Sequence, residues 1–176
     1  DIKDEAGFRK AIAEGLAEQL KGDSDYKFIQ DLRAYCEKKV GKLTFPDAIL
    51  KRIMLANNQD KGEEFVDKNY EQSIKELTWH LIKEQLAQAH GIKVDDNDVR
   101  ESARQMARAQ FAQYGMNNVP DDYLNGYADE MLKKRENIDS FVEAALDRKL
   151  AATLKDVVKL NKKSVSLEEF NKLVNE

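Results

Sequence analysis

The sequence predicts an all-α protein, an elongated body built from several long helices. Apolar residues recur every three or four positions over most of the 176 residues, which is the period of an α-helix. Only two prolines and eight glycines occur, so long helices can continue without interruption. No segment alternates apolar and polar residues for long, as a half-buried β-strand would. We therefore predict a single helical domain over residues 1–176, without a β-sheet.

The longest pattern covers residues 59–90 and predicts the helix around which the others are organised. Its apolar side chains share one side of a helix with 3.6 residues per turn, and charged residues cover most of the rest. Such a helix would extend about 48 Å, beyond the width of a small compact domain. The charges exclude a membrane span, and the spacing does not form the clean heptads of a coiled coil. The apolar stripe is Val66, Tyr70, Ile74, Leu77 and Leu81, and the charged surface is Glu63, Glu64, Lys68, Glu71, Lys75, Lys83 and Glu84.

The first helical pattern places an apolar residue at nearly every fourth position between Phe8 and Val40. Four residues advance a helix by about 400°, so the stripe drifts by about 40° at each step. Residues 21–25 contain a glycine, which commonly ends helices, followed by residues that can cap a new helix. The pattern leaves two alternatives: one kinked helix, or two helices joined by a turn.

Residues 41–46 interrupt the pattern before a short helix with an apolar face at 49–54. Pro46 suits the first turn of that helix, because its missing amide is not needed there. The long central helix follows, and Gly91 is predicted to end it in a left-handed conformation.

Capping residues mark two later helix starts. Asp95 is followed three residues later by Asp98, and Ser166 is followed in the same way by Glu169. Each pair can bind the free backbone amides of a first helical turn.

Between these starts the sequence predicts further helices separated by one clear loop. Helices are expected at 99–114 and at about 120–134, with the loop at 116–120 between them. A helical face continues over 141–160, and residues 137–140 either open this helix or extend the previous one.

Composition and charge exclude some classes of function. Lys and Arg number 29 against 33 Asp and Glu, so the net charge is −4 and no basic surplus indicates a nucleic-acid partner. No apolar run of 18 residues predicts a membrane span. The one cysteine, Cys36, cannot form an internal disulfide, and its place on the apolar stripe predicts a core position. The chain starts at Asp1 without methionine, so we expect a fragment; without a signal peptide, we expect it in the cytoplasm.

Few residues are candidates for metal binding or catalysis. Glu76, His80 and Glu84 are spaced i, i+4, i+8 and could face one divalent ion, but a solvated helix face commonly has the same spacing. Cys36 has no neighbouring histidine in the sequence, and no strand precedes a glycine-rich phosphate loop. The basic run at 133–135 is typical of a solvated helix end. We predict no catalytic residue, metal or cofactor, and no enzymatic activity.

Methionine and aromatic residues flank the loop at 116–120. Met-rich surfaces adapt to varied apolar partners, and tyrosine combines an apolar ring with a polar hydroxyl. Core packing between two antiparallel helices would use the same residue types. A thin helical body has too little interior to bury them all, so we expect part of the cluster to be exposed and to bind a partner. The candidate binding residues are Met106, Phe111, Tyr114, Met116, Tyr123, Tyr127 and Met131.

Short motifs occur in a characteristic order along nearly the whole chain. They are Gly7-Phe8-Arg9 in the first helix, Phe45-Pro46, Gly91-Ile92-Lys93-Val94-Asp95 with Asp98-Val99, Tyr114-Gly115, and Lys163-Ser164-Val165-Ser166 with Glu169-Phe170. Their order and spacing resemble the C-terminal domain of bacterial trigger factor, a ribosome-associated chaperone. The ribosome-binding loop of that family has Gly-Phe-Arg followed by Gly-Lys. Here Lys10 and Ala11 follow, so ribosome contact is not transferred to this motif.

The resemblance implies a helical body with two projecting arms that holds unfolded or nascent polypeptides without ATP. The ribosome-binding and prolyl-isomerase domains of the family would lie outside this chain, and ribosome contact would come only through the missing N-terminal domain. No direct contact with nucleic acid or membrane is implied, and a homodimer is compatible with the prediction. The sequence departs from the family at 21–25 and 116–120, where the arms could differ in shape.

Two other functions remain as alternatives. One is a chaperone domain like that of the periplasmic chaperone SurA. The other is a helical adaptor or scaffold that docks one folded partner, and such an interface should gather its apolar residues in one compact patch. A chaperone should distribute them over several places.

Overall fold

The computed structural model describes residues 4–116 and 118–175 and confirms the all-α prediction. These residues form seven helices and no β-strand. They fall into two compact units: the first unit, within Asp1–Ile29 and Ala89–Glu176, and the second unit, Gln30–Gln88. That residues 1–176 act as one domain stays a prediction. The helices are α1 (Glu5–Val40), α2 (Asp47–Asn57), α3 (Gly62–Ala89), α4 (Asp96–Gln113), α5 (Asp121–Leu132), α6 (Arg135–Val157) and α7 (Leu167–Asn175).

Helix α1 passes through residues 21–25 without a turn, which decides between the two alternatives that the sequence left open. Gly22 lies inside the helix, where glycine costs about 1 kcal/mol relative to alanine. Within the first unit, the Asp25 carboxylate forms an ion pair with Lys155 of α6. The Lys155 ammonium also lies 5.5 Å from the centre of the Phe28 ring. These contacts hold α1 just after its weakest helical position.

The second unit contains α2 and most of α3, joined by a turn at residues 58–61. Gly62 has φ 74°, a left-handed conformation that suits glycine, and α3 begins there rather than at the predicted residue 59. Lys51 of α2 binds the carboxylate of Asp67 of α3 at 2.7 Å. The turn and this ion pair set how α2 returns onto α3.

The end of α3 is close to its prediction. The helix stops at Ala89, and Gly91 has φ 65°. The left-handed glycine predicted from the sequence is therefore confirmed. An L residue with a side chain would be strained at this position, because its Cβ would crowd the backbone.

Helix α3 buries one side near its start and another side near its end. Val66 is buried, as its place on the apolar stripe predicts, but Leu81 of the same stripe is exposed. The buried residues near the end are Trp79, Ile82 and Lys83. Thirteen residues at about 100° each place Trp79 about 220° around the helix axis from Val66. The buried side therefore rotates along α3.

The prediction that Lys83 lies on the charged outer surface is wrong. Lys83 is only 5% exposed, and its Nζ lies 5.8 Å from the centre of the Trp79 ring. A lysine can bury its long aliphatic stem against apolar neighbours while its ammonium interacts with an aromatic face. The rotation of the buried side brings position 83 inward, and single-face periodicity could not anticipate this.

Trp79 and Glu76 connect α3 to the C-terminal part of α1 within the second unit. The guanidinium carbon of Arg33 lies 6.0 Å from the Trp79 ring centre. Arg33 also donates two hydrogen bonds of 3.0 Å to the Glu76 carboxylate. These bonds lower the pKa of Glu76 and raise that of Arg33. A bidentate ion pair fixes both distance and orientation, so it sets how the two helices align.

The core of the first unit lies between α4, α5 and α6. Ala103 of α4, Ala128 of α5 and Phe141 of α6 form one buried cluster. The two alanines allow the helices to approach closely, and the phenylalanine ring fills the space between them. Val99, Met131 and Leu132 pack against this cluster and are partly buried. Further buried apolar residues in this unit are Ala107, Leu124, Ala145, Leu150, Ala151 and Leu154.

The connection between α5 and α6 differs from its prediction in position. α5 ends at Leu132, and α6 already begins at Arg135, ahead of residues 137–140. The basic run 133–135 therefore lies across a short turn. The Asn137 side-chain amide donates to the Met131 carbonyl at 3.0 Å and ties the start of α6 to the end of α5. At its other end α6 stops at Val157, before the predicted residue 160.

The predicted cap at the start of α4 is confirmed as a reciprocal capping box. The Asp95 carboxylate accepts from the amides of Asn97 and Asp98 at 2.9 and 3.0 Å. The Asp95 amide in turn donates to the Asp98 carboxylate at 2.9 Å. Two residues of α6 also hold this turn: Lys149 pairs with the Asp98 carboxylate, and Arg148 donates to the Asp98 carbonyl at 3.1 Å.

At the start of α7 the predicted N-cap, Ser166, is confirmed, but the Glu169 side chain binds Lys163 instead of the cap. The Ser166 hydroxyl accepts from the Glu169 amide at 3.2 Å, as the sequence predicts. The Glu169 carboxylate binds the Lys163 ammonium at 2.7 Å. The ion pair ties the segment before α7 to its first turn.

Replacing Asp98 by asparagine should remove a pH-dependent part of the stability. The bonds from Lys149 and from the Asp95 amide lower the pKa of Asp98 below its ordinary value of 3.8. A group with a lowered folded-state pKa stabilises the fold fully above its unfolded-state pKa and loses this effect as the pH falls through the folded-state value. Urea denaturation of both proteins should therefore show a stability difference that shrinks below about pH 4.

Asp96→Asn is the matched control for this experiment. Asp96 lies in the same first turn of α4 and is exposed, so its loss removes the same charge without breaking the contact with Lys149. A difference between wild type and Asp98→Asn that stays constant from neutral to acidic pH would contradict the assignment.

Candidate functional site

The candidate binding residues lie on α4, on α5 and on the chain between them, but their surroundings differ. Tyr114 and Tyr123 are the most exposed, at 80% and 72%. Phe111 and Met131 are half-buried. The remaining members, Met106, Met116 and Tyr127, are exposed.

A cavity of about 590 Å³ opens where α4 ends and α5 begins. Three of the candidate residues line it: Phe111, Met116 and Tyr123. Gly115, with φ 77°, turns the chain at the end of α4, and the Met116 amide then donates to the Phe111 carbonyl at 3.0 Å. The other described residues of the lining are Gly115, Asn118, Val119 and Pro120, and none of the described lining residues is charged. Such a concave, mainly apolar wall can accept an apolar side chain.

One aromatic pair connects the cavity wall on α4 with α5. The rings of Phe111 and Tyr127 have their centres 5.4 Å apart and are tilted by 59°. The Tyr127 hydroxyl donates to the side-chain oxygen of Gln110 at 2.9 Å. Edge-to-face aromatic pairs of this kind stabilise packing by about 0.5–1.5 kcal/mol. Tyr127 therefore supports the cavity wall while part of its ring stays exposed.

Ion pairs fix α4 and α5 beside each other around this cavity. Arg104 of α4 binds the Asp121 carboxylate at 2.9 Å, and Arg108 reaches the same carboxylate at 3.8 Å. Closer to the core cluster, Arg100 binds Asp129 at 2.7 Å. The side chains of Asp121 and Asp129 are 71% and 45% exposed, so each pair contributes little to stability, but together the pairs set the helix alignment.

Met131 and Met106 have different roles in this structure. Met131 packs against the core cluster of Ala103, Ala128 and Phe141. Met106 is 47% exposed and lies outside the cavity lining. Exposure therefore separates two residues that the sequence pattern treats alike.

Replacing Met131 by serine should destabilise the first unit by about 1–3 kcal/mol, because it removes apolar contacts with the core and places a hydroxyl there. Met106→Ser is the matched control, since the same chemical change at an exposed site should stay within about 0.5 kcal/mol. Thermal unfolding followed by circular dichroism measures both. Equal losses in the two variants would show that Met106 also contributes to the core.

A second cavity, of about 640 Å³, lies in the second unit and was not predicted. The segment before α2 contributes Leu43 and Phe45, and α3 contributes Tyr70 and Ile74. The Tyr70 hydroxyl donates to Asp47 at 2.6 Å, and burial together with this bond raises the pKa of Tyr70 to about 12. Two sequence features could have indicated this cavity: the place of Tyr70 and Ile74 on the apolar stripe, and the interruption of the helical pattern at residues 41–46. Charged residues also border this cavity, including Lys42 and Lys75.

The residues considered for metal binding contact other side chains. Glu76 is bound by Arg33, and His80 lies 3.5 Å from Glu84 on the same helix. Cys36, expected in the core, is only half-buried, and burial raises the pKa of its thiol. A raised pKa reduces the thiolate fraction at neutral pH, and thiolate is the reactive form.

In the described part of the chain, each helix is too short or too polar to cross a membrane.

Comparison with known proteins identifies a family for most of the chain. No curated protein and no solved structure matches it. A family model described as probable trigger factor, C-terminal domain, matches residues 24–174. The confirmed capping box at Asp95 and the left-handed glycines at 91 and 115 lie within this range. The domain that this model describes is non-catalytic, and membership of its family implies a chaperone-type role and binding of client polypeptides. The chain therefore belongs to the family of trigger factor C-terminal domains.

Proposed function

We propose that this chain holds unfolded or nascent polypeptides without ATP, through several separate apolar contacts. The observation that supports this most is the distribution of exposed large apolar side chains over different helices in both units. In the first unit these residues include Phe8, Ile12 and Leu16 on α1, Tyr114, Met116, Tyr123 and Tyr127 around the α4–α5 connection, and Leu167 and Leu173 on α7. In the second unit they include Ile49 and Ile53 on α2.

This distribution favours a holding function over docking of one folded partner. A dedicated interface concentrates its binding energy in a few residues at the centre of one patch. Weak contacts at several sites of one client instead combine, because binding at one site raises the effective concentration of the client at the next. An unfolded chain offers such repeated apolar segments, whereas a folded partner has buried most of them.

The cavity between α4 and α5 is one of the proposed contacts. Its uncharged lining suits a large apolar side chain of the client, and the methionine thioether can adjust to different shapes. The ion pairs of Arg104 and Arg108 with Asp121 keep the helices in place while the cavity is filled. Ribosome contact is assigned to a domain outside these residues, as the family resemblance implies.

The purified chain should suppress aggregation of a chemically unfolded protein in the absence of ATP. Two sets of substitutions test whether the contacts are distributed: Phe8→Ser with Ile12→Ser and Leu16→Ser on α1, and Ile49→Ser with Ile53→Ser on α2. Each set should reduce suppression partially, and the combination should reduce it more, because separate contacts act together. Light scattering during dilution of the client from denaturant gives the measurement.

Two results would contradict the proposal. One is a wild-type chain that leaves aggregation unchanged; the other is complete loss of suppression from a single set, which indicates one compact interface. Proline isomerisation of a model peptide should run at its uncatalysed rate with the chain present. Circular dichroism of each variant confirms that the exposed substitutions leave the helices intact.

A further inference from the structure

The four methionines of the chain differ in how far they are open to solvent. Met106 and Met116 are each 47% exposed, whereas Met54 and Met131 are half-buried. Met131 is also packed against the core cluster. The rate at which a small oxidant reaches a thioether depends on this exposure, so oxidation should begin at Met106 and Met116.

Only Met116 of this exposed pair contributes to the wall of the α4–α5 cavity. It lies there beside Phe111 and Tyr123, and the lining residues that the structure describes carry no charge. Met106 has the same exposed fraction but is outside that lining. The chain thus contains two thioethers of equal exposed fraction, one in the wall of the α4–α5 cavity and one outside that wall.

We propose that Met116 is an oxidation site that switches the cavity between an apolar and a polar state, an inference that rests on the proposed function. Hydrogen peroxide transfers one oxygen atom to the Met116 sulfur: the peroxide O–O bond breaks, an S–O bond forms, and the sulfur gives up two electrons. The second oxygen leaves as water with both peroxide protons. A methionine sulfoxide reductase using a dithiol reverses the step, forming a disulfide and water.

The sulfoxide changes what the cavity can bind. Its oxygen is a strong hydrogen-bond acceptor that water solvates while the cavity is empty. An apolar client side chain that fills the cavity removes this water without supplying a donor, and such burial is unfavourable. Oxidation at Met116 should therefore weaken binding of an unfolded chain by about 5-fold or more. Oxidation at Met106, outside the lining, should leave this contact as it was.

The test measures binding of one defined probe, reduced and carboxymethylated lactalbumin carrying a fluorophore, to the whole chain before and after hydrogen peroxide. Peptide mass spectrometry follows the oxidation of each methionine. Wild type and Met106→Leu should each lose affinity by about 5-fold or more. Met116→Leu should show the same affinity before and after peroxide. Treatment of oxidised wild type with the reductase should restore its binding.

Three outcomes would overturn the inference. Met116→Leu could lose affinity on oxidation as strongly as wild type, oxidised Met116 could leave binding unchanged, or Met54 and Met131 could oxidise first. If the probe does not bind even before peroxide treatment, the proposed holding function itself is contradicted. Circular dichroism of the oxidised protein separates a local effect at the cavity from loss of the helical fold.

Discussion

Replacing Phe141 by alanine should lower the free energy of unfolding of the first unit by about 3–5 kcal/mol. Phe141 is 3% exposed and forms the buried cluster with Ala103 and Ala128, one residue from each of three helices. Its ring contributes most of the volume of that cluster, and the two alanines are too small to move into the space left behind. The cavity and the lost burial therefore both act against the fold. Urea denaturation followed by circular dichroism measures the change.

Val157→Ala is the control for this prediction. Val157 is at the end of the same helix but is 61% exposed, so its truncation should change stability by no more than about 0.5 kcal/mol. Similar losses in the two variants would mean that the core of the first unit does not lie between α4, α5 and α6. Limited proteolysis would show whether unfolding of Phe141→Ala begins in the first unit.

The second large effect is expected at Trp79, which should cost the second unit about 3–5 kcal/mol when replaced by alanine. Its indole is 6% exposed and lies against two cations, Arg33 and Lys83. Removal of the ring leaves a cavity and takes the aromatic face away from the buried Lys83 ammonium. Thermal unfolding monitored at a helical wavelength gives the comparison with wild type.

Two further variants sharpen this prediction. Leu81→Ala, two residues along α3 and exposed, should stay near the wild-type stability. Trp79→Phe should recover part of the loss, because phenylalanine supplies an aromatic face and most of the volume. If Trp79→Ala were no less stable than Leu81→Ala, the buried side of α3 near its end would be wrongly assigned.

Much of the secondary structure could be predicted because local chemistry decides it. Helical periodicity predicted most of the helices, the capping residues Ser166 and Glu169 predicted the last one, and the backbone preference of Gly91 predicted one helix end. The Asp95–Asp98 capping box depends on residues three positions apart and was predicted with its partners. At residues 21–25 local signals left one helix and two helices as alternatives. The structure has one helix there, and its ion pair between Asp25 and Lys155 joins residues far apart in sequence.

The buried side of α3 was beyond this kind of prediction. A single apolar stripe was expected, whereas the helix buries Val66 at its start and Trp79 with Lys83 near its end. Which side is buried depends on the elements that pack there, and those contacts come from distant parts of the chain. The sequence spacing alone treats Leu81 as core and Lys83 as surface, and both assignments are reversed.

The candidate site, too, could be predicted only in part from the sequence. Sequence composition selected seven residues around one loop, and three of them line a cavity. The pattern could not separate Met131, which contacts the core, from Met106, which is exposed, because both are methionines on amphipathic helices. The second cavity, bordered by Phe45 and Tyr70, requires two segments to meet, and their sequence separation hides that meeting.

Because the buried side rotates along α3, the number of residues between Ile74 and Trp79 is constrained. An insertion of one residue between Ile74 and Trp79 would turn the end of the helix by about 100° relative to its start. Trp79 would then leave Arg33 even though every side chain were retained. An insertion of seven residues would restore the angle to within about 20° but would move Trp79 about 10 Å along the helix axis. Among related sequences, insertions and deletions within this stretch should therefore be rare.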